Sequence, residues 1–341
     1  TDTENILKLR QVLSTLPAFC KDYFRAIDST TTTKTRISYA YDIRIFFQFL
    51  LDENPAFKNY AMTDFSVKVL DQIKAVDLEE YMEYLKVYQN GDKTETNGER
   101  GLKRKISALR SFYAYYYKRE MIHTNPTVLL DVPKIHDKSI IRLDTDEVAL
   151  LLDYIEHCGD SLTGQKRVYY EKTKERDLAI VTLLLGTGIR VSECVGLDIE
   201  DVDFKNNGIK VTRKGGNEMV VYFGEEVEKA LKRYLEIRAG ITPLAGHEHA
   251  LFYSSQRKRI GVQAIENMVK KYSRQITTTK KITPHKLRST YGTALYQETG
   301  DIYLVADVLG HKDVNTTKKH YAALDDARRR QAATAVRLRE D

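Results

Sequence analysis

The sequence predicts a mainly α protein with a small β-sheet or hairpin, divided into a helical N-terminal domain and an α+β C-terminal domain. Three observations carry this prediction. The chain has 341 residues, more than one typical hydrophobic core supports. Apolar residues recur at three- and four-residue spacing over 39–51, 78–88 and 106–117, the mark of helices with one buried face. Around Gly215-Gly216, the segment from Gly208 to Tyr222 reads as two short β runs joined by a turn.

From Leu16 to about Thr127 the pattern is helical. The hydroxyl-rich stretch Ser29 to Thr35 reads as a loop capping a helix. Such an N-terminus also suits a phosphate, which draws attention to Lys34 and Arg36. Asn90 to Arg100, rich in Gly, Asn, Thr and Glu, is expected to be a loop. The next helix opens on Lys103, Arg104 and Lys105, continues through Arg110, and carries Tyr113, Tyr115, Tyr116 and Tyr117. Taken alone it reads as an ordinary amphipathic helix with its tyrosines inward and its lysines solvated. Asn125-Pro126 and Val132-Pro133 stop helix, because each proline pushes its predecessor out of αR. The expected division is therefore 1–130, a linker over 131–142, and 143–341. Leu143 to Glu147 restarts helix with a cap and early acids. Gly159 to Glu175 is expected to interrupt the pattern as a polar, basic loop. Helices return at Glu225–Arg238, Val262–Arg274, His285–Thr299 and Ile302–Leu309, and Asp325 to Arg339 reads as a tail helix.

Composition narrows the classes. With 42% hydrophobic and 30% charged residues the chain is neither disordered nor membrane-embedded. No apolar run approaches the roughly 18 residues of a spanning helix, and no secretory signal opens the chain, so a cytoplasmic protein with no membrane contact is expected. Cys20, Cys158 and Cys194 are too few and too scattered for a disulfide framework or a four-ligand zinc site. A net charge of +6 from 54 basic and 48 acidic residues permits polyanion binding without requiring it.

The second domain holds the chemistry-bearing segments. Leu185-Gly-Thr-Gly-Ile-Arg190-Val-Ser-Glu193 sets an arginine after a glycine turn, with a carboxylate one helical turn later. Arg213-Lys214-Gly215-Gly216 puts a lysine at the hairpin tip, where it can reach a substrate. Pro284-His285-Lys286-Leu287-Arg288 places histidine and arginine three apart on one helix face. Leu309-Gly310-His311, Asn315-Thr316-Thr317 and Tyr321 complete the set. In this order the segments resemble the tyrosine recombinase (integrase) family, and the resemblance spans most of the chain.

The resemblance implies a site that cuts a DNA phosphodiester without metal. Arg190 and Arg288 would clamp the non-bridging oxygens, since a guanidinium gives paired hydrogen bonds and stays charged. Glu193 would support Arg190 through an i,i+3 contact. Lys214 would protonate the leaving 5′ oxygen, His285 would accept the tyrosine proton, and His311 would donate to the scissile phosphate. Tyr321 would be the nucleophile. A phenol with a reference pKa of about 10 needs such a base and flanking cations to attack at neutral pH. No metal and no cofactor is expected, because a phosphotyrosine bond stores the energy for rejoining. His247 and His249 are read as surface histidines, and Tyr291, Tyr296 and Tyr303 as core.

The N-terminal domain would be a core-binding, SAM-like DNA-binding bundle, with Lys34, Arg36, Lys103, Arg104, Lys105 and Arg110 meeting mostly phosphates. The resemblance further implies double-stranded DNA recombination sites as substrate. It implies a homotetramer passing through a Holliday junction, accessory DNA-bending or directionality factors, and a tail docked on a neighbouring protomer. The short stretch before Leu16 favours an enzyme without an arm-binding domain, such as a Xer-like recombinase or a mobile-element integrase or transposase. A type IB topoisomerase-like enzyme and a catalytically idle DNA-binding protein are the alternatives.

Overall fold

The computed structural model describes residues 2–132, 140–213, 215–311, 313, 314 and 317, which fall into two compact units on either side of residues 133–139. The first unit runs α1 (Asp2–Ser14), α2 (Cys20–Ala26), α3 (Thr33–Glu53), α4 (Val69–Gln72), α5 (Ala75–Tyr84), β1 (Val87–Asn90), β2 (Lys93–Thr96) and α6 (Glu99–Lys118). Thr32 caps α3, its side chain accepting from the Thr35 N–H at 3.3 Å. The core is aromatic. Phe47 and Tyr116 meet Phe19 edge-to-face and Phe112 meets it tilted, ring pairs worth about 0.5–1.5 kcal/mol each beyond area burial. On α6, Tyr113 and Tyr116 turn inward and donate their hydroxyls to Leu70 O at 3.3 Å and Phe19 O at 2.7 Å, whereas Tyr117 is exposed.

Two segments of this unit depart from expectation. The helix α1 lies ahead of Leu16 and buries Leu9 and Val12. Overlapping the expected loop over Asn90–Arg100, β1 and β2 form an antiparallel hairpin pairing Asn90 with Lys93 and Val87 with Thr96. Its two-residue turn uses Gly91 at φ 61°, as tight hairpins require. All of β2 is exposed, so no apolar alternation marks it in the sequence.

The second unit runs α7 (Thr145–His157), α8 (Gly164–Thr187), α9 (Val191–Gly196), β3 (Val202–Asp203), β4 (Gly208–Thr212), β5 (Glu218–Tyr222), α10 (Glu225–Ala239), α11 (Val262–Ile276), α12 (Pro284–Thr299) and α13 (Ile302–Leu309). The strands form one antiparallel sheet in the order β3-β4-β5, with Val211 opposite Met219. Ile209, Val211 and Val221 face the core. α7, α10 and α12 all pack on α8. From Leu178 to Leu184 α8 is buried on every side, as a helix enclosed by others must be.

The expected loop over 159–175 is a correction: from Gly164 onward it is the first half of α8. Tyr170 anchors it, donating its hydroxyl to Ile155 O at 3.0 Å and Glu156 O at 2.6 Å in α7. Apart from the exposed Val168 and Tyr169 the rest of that half is mostly polar, so its periodicity is weak. Among the described residues no helix is long and apolar enough to cross a membrane.

Candidate active site

α13 ends at Gly310, which takes φ 60° and ψ 50°. The last-turn carbonyls of a helix lack intrahelical partners. Here the cap satisfies two of them, His311 N donating to Ala306 O at 2.9 Å and Gly310 N to Asp307 O at 2.8 Å. The next three are each met by a different arginine. Arg213, at the end of β4, donates from Nη2 to Val308 O at 2.7 Å. Arg288 of α12 donates from Nη2 to Leu309 O. Arg190, the N-cap residue of α9, donates from Nη2 to Gly310 O at 3.2 Å. Three segments remote in sequence thus place guanidinium groups on consecutive atoms of one helix end, where the peptide dipoles favour cations.

Each side chain is oriented by a local device. Glu193 accepts from Arg190 N at 2.8 Å through Oε2 and from Arg190 Nη1 at 2.7 Å through Oε1, and its own side chain is 3% exposed. The carboxylate therefore caps α9 and aims the guanidinium together. Arg288, 4% exposed, also donates from Nη1 to Gly188 O at 2.6 Å. Gly188 ends α8 at φ 63°, and a Cβ there would stand 2.3 Å from the Tyr291 ring, so neither its conformation nor its surroundings admit a side chain.

His285 is exposed near the start of α12, one turn before Arg288. His311 follows the α13 cap, with Nδ1 2.7 Å from the Thr317 hydroxyl; Thr317 is fully buried, which holds the imidazole in place. Lys214 and Tyr321 lie outside the described residues, as does the expected tail helix. Lys214 is bracketed in the chain by Arg213 and by Gly215 and Gly216 at φ 101° and 83°. The neighbouring tyrosines differ from expectation in one case. Tyr296 is buried and Tyr291 half-buried, but Tyr303 is 71% exposed, because it sits on the outer face of α13. Burial raises the Tyr291 pKa, which makes its phenolate costly. His249 pairs on the surface with Glu200 at 2.8 Å.

The cations expected to face DNA divide into two groups. Lys34 and Lys103 are exposed. Arg104 is half-exposed and paired with Asp42. Arg36 is largely covered, paired with Asp28 and donating to the Thr33 hydroxyl at 3.2 Å. Lys105 and Arg110 correct the expectation. Lys105 is 6% exposed with Nζ 3.4 Å from Asp42, and Arg110 donates to Thr127 O at 3.2 Å and Leu130 O at 2.7 Å. Both hold the bundle together, because a buried carboxylate and unpaired carbonyls demand donors. Accordingly, Lys103→Ala is expected to flatten the dependence of log DNA affinity on log salt by about 0.9. Lys105→Ala is expected to leave that slope alone and to lower unfolding free energy by about 1–3 kcal/mol. Salt titrations and denaturant melts of the two variants check this, and a slope change in Lys105→Ala would return that residue to the interface.

Arg213 and Thr317 were not singled out by sequence reasoning. Arg213 stands in a run of basic and glycine residues, and only its contact with α13 distinguishes it.

Comparison with known proteins sets this geometry in context. The Phage integrase family matches residues 142–328. A tyrosine recombinase XerC of Caldanaerobacter subterraneus subsp. tengcongensis is 33% identical over 328 residues, covering 94% of this chain and 86% of the relative. A tyrosine recombinase XerS of Lactococcus lactis subsp. cremoris is 30% identical over 340 residues, covering 92% and 93%. Among solved structures, the Tn1549 transposon integrase in complex with circular intermediate DNA superposes with a TM-score of 0.64 at 21% identity, covering 89% of this chain and 94% of the other.

Proposed function

This chain belongs to the phage integrase family and is a site-specific tyrosine recombinase, and from that premise we propose how its residues share the reaction on double-stranded DNA. The observation that carries the proposal is the convergence of Arg190 and Arg288, from α9 and α12, on adjoining carbonyls beside His311.

A phosphodiester entering this site meets guanidinium donors already oriented by Glu193 and by backbone carbonyls. Preorganised donors stabilise developing charge without reorganising at the moment of reaction. The Tyr321 oxygen attacks phosphorus, and its proton passes to His285. The bond from phosphorus to the 5′ oxygen breaks as that oxygen takes a proton from Lys214. His311, held by Thr317, donates to a non-bridging oxygen. A 3′-phosphotyrosine and a free 5′ hydroxyl result, and attack by a 5′ hydroxyl of a second duplex reverses the step with no external energy source.

Exchange of one strand pair gives a Holliday junction, and exchange of the other resolves it, in a homotetramer that joins two sites. Accessory DNA-bending or directionality factors would choose the outcome. The three cysteines, all buried and unpaired, suit work in the cytoplasm, where thiols stay reduced. The extensive match to Xer proteins over both units favours a recombinase over a topoisomerase-like enzyme.

The deciding experiment incubates the protein with supercoiled plasmids carrying one or two copies of its site. Recombinant circles that appear only with two sites are expected. Relaxation of one-site plasmids without recombinants would favour the topoisomerase-like reading, and binding without strand cleavage the idle one.

A further inference from the structure

Arg213 takes no part in the chemistry above, yet its guanidinium is held at a cost. Nη2 reaches Val308 O, while Nε and Nη1 are buried and have no hydrogen-bond partner among the described residues. A buried donor left unpaired costs about 1–3 kcal/mol. Nη1 lies only 1.1 Å from where a Cβ on Gly310 would stand. Residue 310 is thus glycine for two reasons, its positive φ and the space the guanidinium occupies. Burial lowers the Arg213 pKa, with the Glu193 charge opposing and the Arg190 charge adding to that effect.

The backbone of the same residue closes the hairpin tip. Arg213 N donates to Asn217 O at 2.7 Å, and Gly216 N donates to Arg213 O at 3.0 Å. Two successive glycines at positive φ give a tip little stiffness of its own. The Arg213 side chain supplies what the tip lacks, a strut from the hairpin to the helix end that leads into His311. Lys214 is the next residue along the chain.

We infer that Arg213 is a positioning residue, clipping the hairpin tip onto the C-terminal turn of α13 so that Lys214 is presented to the leaving 5′ oxygen. The inference rests on the reading of Lys214 as the general acid. It separates Arg213 from Arg190 and Arg288, because its loss impairs proton delivery rather than phosphate binding.

The test measures cleavage of two nicked substrates, one with the ordinary bridging 5′ oxygen and one with sulfur there, by wild type, Lys214→Ala, Arg213→Ala and Arg213→Lys. A thiol with a pKa of about 8.5 leaves without a proton. Arg213→Ala is expected to cleave the oxygen substrate about ten- to a hundredfold more slowly, part of the 10²–10⁴ that general acids contribute. It should cleave the sulfur substrate near the wild-type rate and bind DNA normally. Arg213→Lys, which keeps one donor for Val308 O without the fork, should fall between and is read in the same way if the alanine variant does not fold. Lys214→Ala rescued by sulfur while Arg213→Ala is slowed equally on both substrates overturns the inference alone. Lys214→Ala that sulfur does not rescue overturns the general-acid reading and the inference with it. Wild-type cleavage of the oxygen substrate by both Arg213 variants also overturns the inference.

Discussion

Tyr321→Phe is expected to abolish covalent complex formation and strand cleavage while DNA affinity stays within about twofold of wild type. The variant loses one oxygen from a large interface whose affinity is expected to come mainly from phosphate contacts, yet that oxygen is the atom proposed to carry the 3′ phosphate. The buried tyrosines of the second unit offer poor substitutes. Tyr170 and Tyr272 are buried, their hydroxyls bonded to Ile155 O and the Asp177 carboxylate respectively. A suicide-substrate gel beside a binding titration decides the matter. Covalent product from the phenylalanine variant would move the nucleophile elsewhere, and Tyr303, exposed on α13, would be examined next.

Arg288→Ala is expected to have the second-largest effect, and a double one. The side chain bridges Gly188 O and Leu309 O, so its removal leaves two carbonyls at helix ends without their donor, a loss of about 2–4 kcal/mol in unfolding free energy. Cleavage at saturating DNA should fall by a further factor of about 10²–10³, the usual effect of deleting one oxyanion donor. Arg288→Lys should recover part of the stability and little of the rate, because an ammonium cannot bridge two carbonyls and a phosphate with a planar fork. Denaturant melts and single-turnover cleavage on the same preparations separate the two losses. Near-wild-type cleavage by the lysine variant would sink the bidentate clamp.

Much of the fold was legible because its helices follow apolar spacing. The segments that escaped notice were those whose exposed surfaces leave little apolar pattern to read. The first half of α8 looks like a loop because its surface is polar, and it is helical because Tyr170 reaches the end of α7. The β1-β2 hairpin hides for the same reason in another form: a strand exposed on both faces has no apolar alternation to read. On α6, composition could not tell a DNA-facing cation from a buried one. Lys103 and Lys105 are two residues apart and alike in chemistry, but the turn of the helix sends one to solvent and the other to Asp42.

By itself the sequence determined the helical class, the hairpin at Gly215-Gly216 and the order of arginine, lysine, histidine and tyrosine segments, since spacing and residue type are local properties. Only the tertiary structure decided that Arg190, Arg213 and Arg288 share one helix end, whereas the i,i+3 contact of Glu193 with Arg190 is local and legible in the sequence. The tertiary structure alone also decided that Gly310 must leave room for Arg213. Those facts depend on which carbonyls remain unpaired once the helices have packed, and a carbonyl's want of a donor exists only in the assembled core.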